Sequence, residues 1–322
     1  MRAIVIDRFG GPDVLQLRDV PRPSPGPGEL LVRVIASGTN PVDAKVRAAG
    51  SWAGISFPAV IGYDASGVVE AVGPGAGDFR PGDEVFFTPE IFGNVHGTYA
   101  EYALVQAAIV AFKPKSLSHV EAAALPLAGG TAWEAIVRRL QVRPGETVLI
   151  HGGAGGVGTF AVQIAKAAGA RVIATASADN LDTLRTLAAD AAIDYRKYDP
   201  FEAALQATGG AGVDAVFDTV GGDLTPRSVP VTRPFGRIAF ILGFQGDLDA
   251  ASQRNLTLHG VFLTRERQRL LELSRLVEQK KLRPVIDEVL PLEQVGQAHE
   301  RLDSGHGRGK VVLEVAAGAA AR

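Results

Sequence analysis

Residues 151–158, His-Gly-Gly-Ala-Gly-Gly-Val-Gly, have the residue types and spacing that bind a pyrophosphate. In the G-x-G-x-x-G pattern, the first glycine permits a tight turn and the second lets the backbone approach the phosphates. The third lets the following helix pack closely on its strand. An apolar segment at 147–150, a helical pattern at 159–166 and a second apolar segment at 171–175 form a strand–helix–strand unit. This context favours a dinucleotide site over a structural glycine turn, and the predicted binding residues are Gly153, Ala154, Gly155, Gly156, Val157 and Gly158.

The end of the second strand of this unit indicates which dinucleotide binds. An NAD enzyme usually places Asp or Glu there to bind the ribose 2′-hydroxyl. This chain has Ala176 instead, so the charge that repels a 2′-phosphate is absent. The sequence therefore predicts NADP (NADPH), with Ser177 as a hydrogen-bond donor and with three candidate phosphate partners, Arg185, Tyr195 and Arg196. Asp179 argues against this prediction, and the alternative is that Ala176 merely packs.

Composition limits the classes of protein to which the chain can belong. The 322 residues are 46% hydrophobic and 21% charged, which is typical of a folded protein with room for two domains. The formal net charge of -2 gives no reason to expect nucleic acid or a membrane surface as a partner. No apolar run has the length of a membrane span, so we expect a cytoplasmic protein. The absence of cysteine excludes disulfides and cysteine-ligated zinc.

The pattern of elements predicts an α/β protein with two domains. Short strands at 30–35, 66–72 and 84–87, separated by Gly/Pro turns, favour a β-rich, partly closed barrel. From about residue 118, strands and helices alternate, which is typical of a Rossmann doubly wound parallel sheet. Residues 118–283 are assigned to this NADP-binding domain, and residues 1–117 and 284–322 to the catalytic domain, to which a strand at 309–315 returns. The other predicted elements are helices at 119–124, 131–140, 181–188, 200–207 and 266–280, and strands at 191–193, 213–217, 237–242 and 256–262.

Several further motifs, taken in order, resemble one known family. They are Ala-Ser-Gly-Thr-Asn-Pro-Val-Asp at 36–43, Gly-Tyr-Asp-Ala-Ser-Gly-Val-Val at 62–69, Gly-Thr-Tyr-Ala-Glu-Tyr at 97–102, Asp-Thr-Val-Gly at 218–221 and Gly-Lys-Val-Val-Leu at 309–313. The chain is similar over essentially its whole length to the quinone oxidoreductase (zeta-crystallin-like) branch of the zinc-independent medium-chain dehydrogenase/reductases. The resemblance implies a GroES-like catalytic domain beside the Rossmann domain.

A departure from the zinc-dependent relatives bears on the mechanism. Those enzymes hold a catalytic zinc with two cysteines and a histidine, and the resemblance places Asn40, Tyr63 and Leu127 at these three positions. An amide, a phenol and an aliphatic group do not form such a site, so we expect no metal. Without a Lewis acid, alcohol oxidation is disfavoured, and quinones or conjugated carbonyl compounds become the expected hydride acceptors.

Three residues are the predicted catalytic set: Asn40, Asp43 and Thr131. Asn40 could hydrogen-bond the acceptor oxygen or order a water there, or its amide could satisfy loop backbone. Asp43 could anchor the loop instead of reacting. Thr131 matches the family position that contacts the nicotinamide, with a helix cap as the alternative. Lys310, in the last motif, is predicted to bind the cofactor.

Other aromatic and histidine residues have weaker functional interpretations. Tyr63 could line the pocket or belong to the core, and Trp52 could stack on a planar acceptor or cover the core. His96 and Tyr99 are candidates for delivering the second proton, whereas His151 is expected to pack at the end of its strand.

Two other functions stay open beside quinone reduction: an enone or enoyl reductase, and a cofactor-binding protein with low turnover. The last strand of the Rossmann sheet, at 256–262, carries few charges. Because an unpaired apolar edge invites association, we expect a homodimer formed through the cofactor domains.

Overall fold

A computed structural model describes residues 1–316 of the chain. It contains sixteen strands in these residues, which are numbered in chain order. They are β1 (Arg2–Ile6), β2 (Gln16–Asp19), β3 (Glu29–Gly38), β4 (Ala59–Val60), β5 (Ala65–Val72), β6 (Glu84–Phe87), β7 (Tyr102–Gln106), β8 (Val110–Phe112), β9 (Thr147–His151), β10 (Arg171–Ala176), β11 (Ala191–Asp194), β12 (Val213–Asp218), β13 (Thr232–Phe240), β14 (Thr257–Gly260), β15 (Ile286–Pro291) and β16 (Lys310–Glu314).

The same residues contain ten α-helices, α1 (Pro41–Ala49), α2 (His119–Ala123), α3 (Pro126–Trp133), α4 (Gly156–Ala167), α5 (Leu181–Thr186), α6 (Pro200–Ala207), α7 (Leu224–Ser228), α8 (Asp249–Gln253), α9 (Arg267–Glu278) and α10 (Val295–Ser304). A π-helical segment covers Glu134–Arg139. Short 3-10 turns lie at Pro12–Val14, Gly50–Ala53, Ala107–Ile109, Ala178–Asn180 and Leu292–Gln294.

The chain divides into two compact units. The first contains Met1–Ala128, Thr264–Gln279 and the chain from Pro284 to the end of the described residues, and the second contains Gly129–Leu263 and Lys280–Arg283. The first unit is built on a mixed sheet in the order β15-β16-β3-β5-β6-β8, with β7 also paired to β3. A three-stranded sheet, β2-β1-β4, completes it.

Strand β3 organises the first unit. Its ten residues pair with β5 along one edge, whereas β7 and β16 share the other edge. Val32 and Val34 on one face are fully buried, and Leu31 and Ile35 on the other are nearly so, which is typical of a strand covered on both faces. Because β16 pairs with the end of β3, the last described strand lies beside the start of α1.

The second unit is a parallel six-stranded sheet in the order β11-β10-β9-β12-β13-β14. This is the Rossmann strand order, in which the direction of winding reverses between β9 and β12. In open parallel sheets, ligands bind outside the carboxyl ends of the strands at this switch point. The glycine-rich run leaves the carboxyl end of β9, so the fold places it where a dinucleotide binds.

The predicted fold class is confirmed, and most predicted elements are found within a few residues of their predicted bounds. The strand at 309–315 does return to the first unit, as β16. Four details differ. The helix predicted at 131–140 begins five residues earlier, at Pro126, and continues as a π-helix. The strand predicted at 237–242 also begins five residues earlier, as β13, and the strand predicted at 256–262 is shorter. Both α2 and α9, assigned by sequence to the cofactor domain, belong to the first unit.

Contacts within the first unit account for the position of α9. The Arg267 guanidinium carbon lies 4.9 Å from the ring centroid of Phe79 and 5.9 Å from that of Phe112. Glu278, at the other end of the helix, accepts a hydrogen bond from the Ser116 amide at 3.2 Å. Leu270, Leu273 and Val277, which lie on one face of this helix, are buried, with Leu273 fully so. Across residues 1–316, we find no helix with both the length and the apolar character needed to cross a membrane.

Candidate active site

The first candidate catalytic residues lie where β3 passes into α1. Asn40 is the N-cap residue of α1 and Pro41 occupies the first helical turn, where the missing N–H of proline has no consequence. The Asp43 side chain reaches back, and its Oδ2 accepts the Asn40 backbone N–H at 2.7 Å. Both residues are buried, Asp43 completely. The Asp43 carboxyl therefore anchors this loop, whereas the catalytic roles of Asn40 and Asp43 stay predictions.

The carboxamide of Asn40 lies between two charged side chains of the same unit. Its Nδ2 donates to Asp64 Oδ2 at 2.9 Å, and its Oδ1 accepts a hydrogen bond from Lys310 Nζ. Lys310 Nζ also donates to the Thr39 carbonyl at 2.7 Å and lies 3.4 Å from Asp64 Oδ2. The backbone N–H of Leu127 donates to the other Asp64 oxygen at 2.8 Å. Lys310, predicted to bind the cofactor, thus directs its ammonium group at three protein oxygens.

This cluster contains two buried carboxyl groups and one ammonium group. Burial raises the pKa of Asp43 to about 7, against the opposing hydrogen bonds from Tyr99 and the Asn40 amide. Burial also raises the pKa of Asp64 to about 6, against the charge of Lys310. Lys310 contacts Asp64 directly, whereas the groups that donate hydrogen bonds to Asp43 are neutral, so the pKa of Asp43 is raised further than that of Asp64.

A chain of hydrogen bonds runs from Asp43 to the surface of the unit. The Tyr99 hydroxyl donates to Asp43 Oδ2 at 2.7 Å, and His299 Nε2 lies 3.3 Å from Tyr99 Oη. Arg47 Nη1 lies 3.1 Å from His299 Nδ1, and Arg47 Nη2 donates to both Asp303 oxygens at 3.0 and 2.8 Å. His299 is fully buried, and burial lowers its pKa to about 3. Tyr99, predicted as a loop proton donor, is therefore a buried link between Asp43 and α10.

The sequence reasoning missed Asp64, His299 and Asp303. Asp64 belongs to a motif that carried the family resemblance, but no role followed from the motif itself. His299 and Asp303 are four residues apart, which places them on one face of a helix, and this was the only local signal available.

Two buried polar atoms of this cluster lack hydrogen-bond partners among residues 1–316: Asp43 Oδ1 and Tyr63 Oη. Tyr63 is fully buried, so the alternative that it belongs to the core is confirmed, although its hydroxyl is polar. Burial raises the pKa of Tyr63, and the charge of Asp43 adds to this effect. No group of three or more His, Cys, Asp or Glu side chains suited to a metal ion is found in the described part of the chain. The absence of a metal from the reaction stays a prediction.

In the second unit, the glycine-rich run forms a tight turn between β9 and α4. Gly152 has a φ of 71°, in the left-handed region, so the residue that needs glycine for the turn is Gly152 rather than the predicted Gly153. A Cβ on Gly158 would lie 2.1 Å from the Gly152 carbonyl oxygen, which confirms close packing of the helix on the turn. Gly155 is the N-cap residue of α4, and the first amide N–H groups of a helix have no partner within it. Cofactor binding at Gly153, Ala154, Gly155, Gly156, Val157 and Gly158 stays a prediction.

The residues predicted to choose between NADP and NAD lie at the end of β10. Ala176 is buried, and its carbonyl accepts the Tyr195 N–H at 3.2 Å, which places Tyr195 directly beside it. The Tyr195 side chain is 47% exposed, and the Arg196 guanidinium lies 5.8 Å from its ring centroid. The Ser177 hydroxyl accepts the Asn180 amide at 3.1 Å. Arg185 pairs with the exposed Asp182 at 2.5 Å, and binding of a ribose phosphate by Ser177, Arg185, Tyr195 or Arg196 stays a prediction.

The other predicted residues have less specific surroundings. Thr131 lies inside α3 and is buried, so the alternative that it caps a helix is wrong. The helix begins at Pro126, a residue type suited to a first helical position. His151 is buried with Nε2 3.2 Å from Ser228 Oγ, which confirms that it packs at the strand end. His96 is exposed in its loop, and Trp52 is 46% exposed with its ring against Phe92.

Comparison with known proteins agrees with this architecture. Residues 26–115 match the family described as alcohol dehydrogenase GroES-like domain, and residues 187–313 match the family described as zinc-binding dehydrogenase. The chain is 32% identical to the human quinone oxidoreductase, with 97% of each chain covered. It is 34% identical to the chloroplastic NADPH-dependent alkenal/one oxidoreductase of Arabidopsis thaliana, over 97% of this chain and 79% of that one.

A solved structure described as an NAD-dependent alcohol dehydrogenase has a TM-score of 0.91 and 38% identity, and covers 98% of this chain and 100% of that one. The chain therefore belongs to the quinone oxidoreductase branch of the medium-chain dehydrogenase/reductase superfamily, a family of oxidoreductases.

The buried Asp43 carboxyl predicts a pH dependence of stability. Its pKa rises from 3.8 to about 7 on folding, so its contribution to stability is present below pH 3.8 and is lost as pH rises through about 7. His151 and His299, whose pKa values fall on burial, act in the opposite direction over an overlapping range. We therefore expect the difference in unfolding free energy, wild type minus Asp43→Asn, to fall with pH up to about 7 and then level off. Urea titrations at several pH values measure it, and a constant difference would contradict a buried, proton-binding Asp43.

Proposed function

We propose that this protein reduces quinones or conjugated carbonyl compounds with hydride from NADPH and without a metal ion. The observation that carries the proposal is the buried cluster of the first unit. At the three positions of zinc ligands in the zinc-dependent relatives, the chain has an amide committed to hydrogen bonds, a phenol and an aliphatic side chain. Conjugated acceptors suit such a site, because their π-systems spread the incoming negative charge without a Lewis acid.

We propose that the two units are the catalytic and the cofactor-binding domain. NADPH, when bound, supplies the hydride. The run from Gly153 to Gly158 fits its pyrophosphate, because the turn is made of backbone and the helix start offers N–H groups. Ser177 and Tyr195 would bind the ribose phosphate with Arg196, and Thr131 would contact the nicotinamide.

For Asn40 we propose a hydrogen bond to the acceptor oxygen. An amide nitrogen carries two hydrogens, and Asp64 accepts one of them from Asn40. Lys310 fixes the orientation of this amide by donating to its oxygen. Because all three hydrogens of the ammonium group face protein oxygens, we assign Lys310 to holding Asn40 rather than to a direct contact with the cofactor.

Enone or enal reduction is the second candidate, and the name of the Arabidopsis relative, an alkenal/one oxidoreductase, favours it. It requires the same hydride donor and leaves a similar oxyanion, so the acceptor profile alone separates it from quinone reduction. A protein that binds the cofactor with low turnover is the third alternative, and absence of turnover with any acceptor would favour it.

We propose a cytoplasmic location on the grounds of composition alone. The Arabidopsis relative is described as chloroplastic, so location differs among related chains.

The function is tested by steady-state rates. Menadione and methyl vinyl ketone are each assayed with NADPH and with NADH, and ethanol is assayed with the oxidised cofactors, NADP and NAD. We expect NADPH oxidation with the first two compounds and no NADP reduction with ethanol, because nothing in the site polarises an alkoxide. Dialysis against a chelator should leave the rates unchanged. Ethanol oxidation, or activity that returns only with added zinc, would refute the proposal.

Cofactor preference is tested by replacing Ala176 with Asp. A carboxylate at the end of β10 would repel the 2′-phosphate and bind the ribose 2′-hydroxyl, so we expect the variant to prefer NADH. We expect NADPH affinity to fall by roughly tenfold or more, by analogy with a lost charge-assisted contact. Titration of protein fluorescence with each cofactor measures the dissociation constants of NADPH and NADH. If the wild type binds NADPH and NADH with equal affinity and the substitution does not change this, the assignment of this site is wrong.

We also propose a homodimer joined through the second unit. Strand β14 lies at one edge of the parallel sheet, and the following Phe262 is 57% exposed. The predicted apolar edge is smaller than expected, because Val261 and Leu263 are buried within the chain. Pairing of two β14 edges about a twofold axis would satisfy their backbone groups.

Sedimentation equilibrium tests this assembly. We expect twice the chain mass of 33.7 kDa at micromolar concentration. Replacement of Leu258 in β14 by Pro, which removes an N–H, should weaken a dimer formed through this edge. A monomeric wild type would refute the dimer.

A further inference from the structure

The two oxygens of Asp43 have very different surroundings. Oδ2 accepts two hydrogen bonds, from the Asn40 backbone N–H and from the Tyr99 hydroxyl, both at 2.7 Å. Oδ1 has no partner among residues 1–316, although Asp43 is fully buried. A buried carboxyl oxygen without a partner is costly, and a catalytic role is one of the reasons for which proteins retain such an atom.

The direction of every hydrogen bond in the chain behind Oδ2 follows from Arg47. A guanidinium group can only donate, so Arg47 Nη1 donates to His299 Nδ1. The neutral His299 ring therefore carries its hydrogen on Nε2 and donates it to Tyr99 Oη. The Tyr99 hydrogen is then directed at Asp43 Oδ2. Asp303 holds Arg47 through two hydrogen bonds, which fixes the start of this relay of donors.

This polarity decides which oxygen of Asp43 carries a proton. Two donor hydrogens already face Oδ2, so a third hydrogen on that atom would be repelled by both. A proton on the carboxyl group must therefore be on Oδ1, the oxygen that lacks a partner. The nearby charges act on this proton in opposite directions: the charge of Lys310 lowers the pKa of Asp43 and that of Asp64 raises it, while burial is the largest cause and brings the pKa to about 7.

We propose that Asp43 is the proton donor of the reduction, with its proton on Oδ1, and that Tyr99, His299 and Arg47 are positioning residues that keep the proton on that oxygen. The proposal rests on the proposed function. Hydride carries two electrons, and its addition to a quinone or enone converts the acceptor to an oxyanion. The Oδ1–H bond of Asp43 then breaks, its electron pair stays on Oδ1, and a new O–H bond forms. From a quinone this gives the hydroquinone; from an enone it gives the enol, which becomes the ketone when the O–H proton is lost to solvent and the carbon takes a proton from solvent. Water returns a proton to the carboxylate.

An infrared titration tests the location of the proton without reference to turnover. The spectrum of wild type minus Asp43→Asn should show a protonated carboxyl stretching band that disappears with a midpoint at about pH 7. The groups that face Asp43 are Tyr99, Asp64, Lys310 and Tyr63, so Asp64→Asn identifies any band due to the second carboxyl group. If the difference spectrum shows an ionised Asp43 at pH 6, the proposal is wrong.

The variant Tyr99→Phe tests whether Tyr99 acts through its hydrogen bond to Asp43 or only through its contribution to folding. Loss of one donor to Oδ2 should raise the pKa of Asp43, and the midpoint should move up by about one pH unit or more. Tyr102→Phe is the matched control, because Tyr102 is outside the relay and its ring contacts Arg22. We expect Tyr102→Phe to leave the midpoint unchanged. An unchanged midpoint in Tyr99→Phe would exclude the positioning role.

The kinetic test uses NADPH with methyl vinyl ketone. The kcat of wild type should fall above the infrared midpoint, where Asp43 has lost its proton, and Tyr99→Phe should move this limb to higher pH. We expect kcat of Asp43→Asn to fall by roughly 100-fold or more, with a smaller change in KM. Full activity of a folded Asp43→Asn variant would overturn the proposal. If wild type itself reduces neither ketones nor quinones, the proposed function fails, whereas the infrared result still shows where the proton resides.

Discussion

The buried cluster of the first unit contains two carboxyl groups, Asp43 and Asp64, but one ammonium group, that of Lys310. The geometry of the candidate site follows from this excess of acidic groups. Lys310 Nζ lies 3.4 Å from Asp64 Oδ2 and donates to the Asn40 carboxamide, so its charge is used at one carboxylate and one amide. A buried carboxylate without a cation is unfavourable, because low polarity penalises the charged form. Asp43, whose hydrogen-bond donors are neutral, has the higher pKa of the two carboxyl groups, about 7. The same ammonium group joins the last described strand to the residues that begin α1.

Under the proposed function, this arrangement takes the place of a metal ion at the site. A metal ion would polarise an acceptor oxygen and fix several ligands at once. Here, hydrogen bonds do the fixing: Lys310 orients Asn40, and Arg47 orients His299 and Tyr99. Fixed dipoles in a dry site need no reorganisation during the reaction, which makes them effective at stabilising a developing oxyanion. The substitutions at the zinc-ligand positions and the buried network are therefore parts of one chemical solution.

Local patterns in the sequence predict the glycine-rich turn, the parallel sheet and the return of β16 to the first unit. Glycine spacing and apolar periodicity are properties of short segments, so they can be recognised without knowledge of the fold. The contacts of Arg47 and Asn40 could not be found in this way, because His299 lies 252 residues from Arg47 and Lys310 lies 270 residues from Asn40. The start of α3 was misplaced since Gly129 and Gly130 weaken the helical pattern, whereas burial of the neighbouring small residues maintains the helix. Lys310 was assigned to the cofactor from its motif, and only its three oxygen contacts indicate a role in holding Asn40.

The central claim is direct hydride transfer from NADPH to a conjugated acceptor at a site without metal. Mass spectrometry of the reduced ketone, formed by chelator-treated protein from methyl vinyl ketone and NADPH deuterated at one face of the nicotinamide, tests this claim most directly. Two samples of NADPH are compared, each deuterated at a different face of the nicotinamide. Our account predicts one deuterium per product molecule from one sample and none from the other, with the second added hydrogen derived from solvent. Product without the label from either face, or no product until zinc is restored, would contradict it.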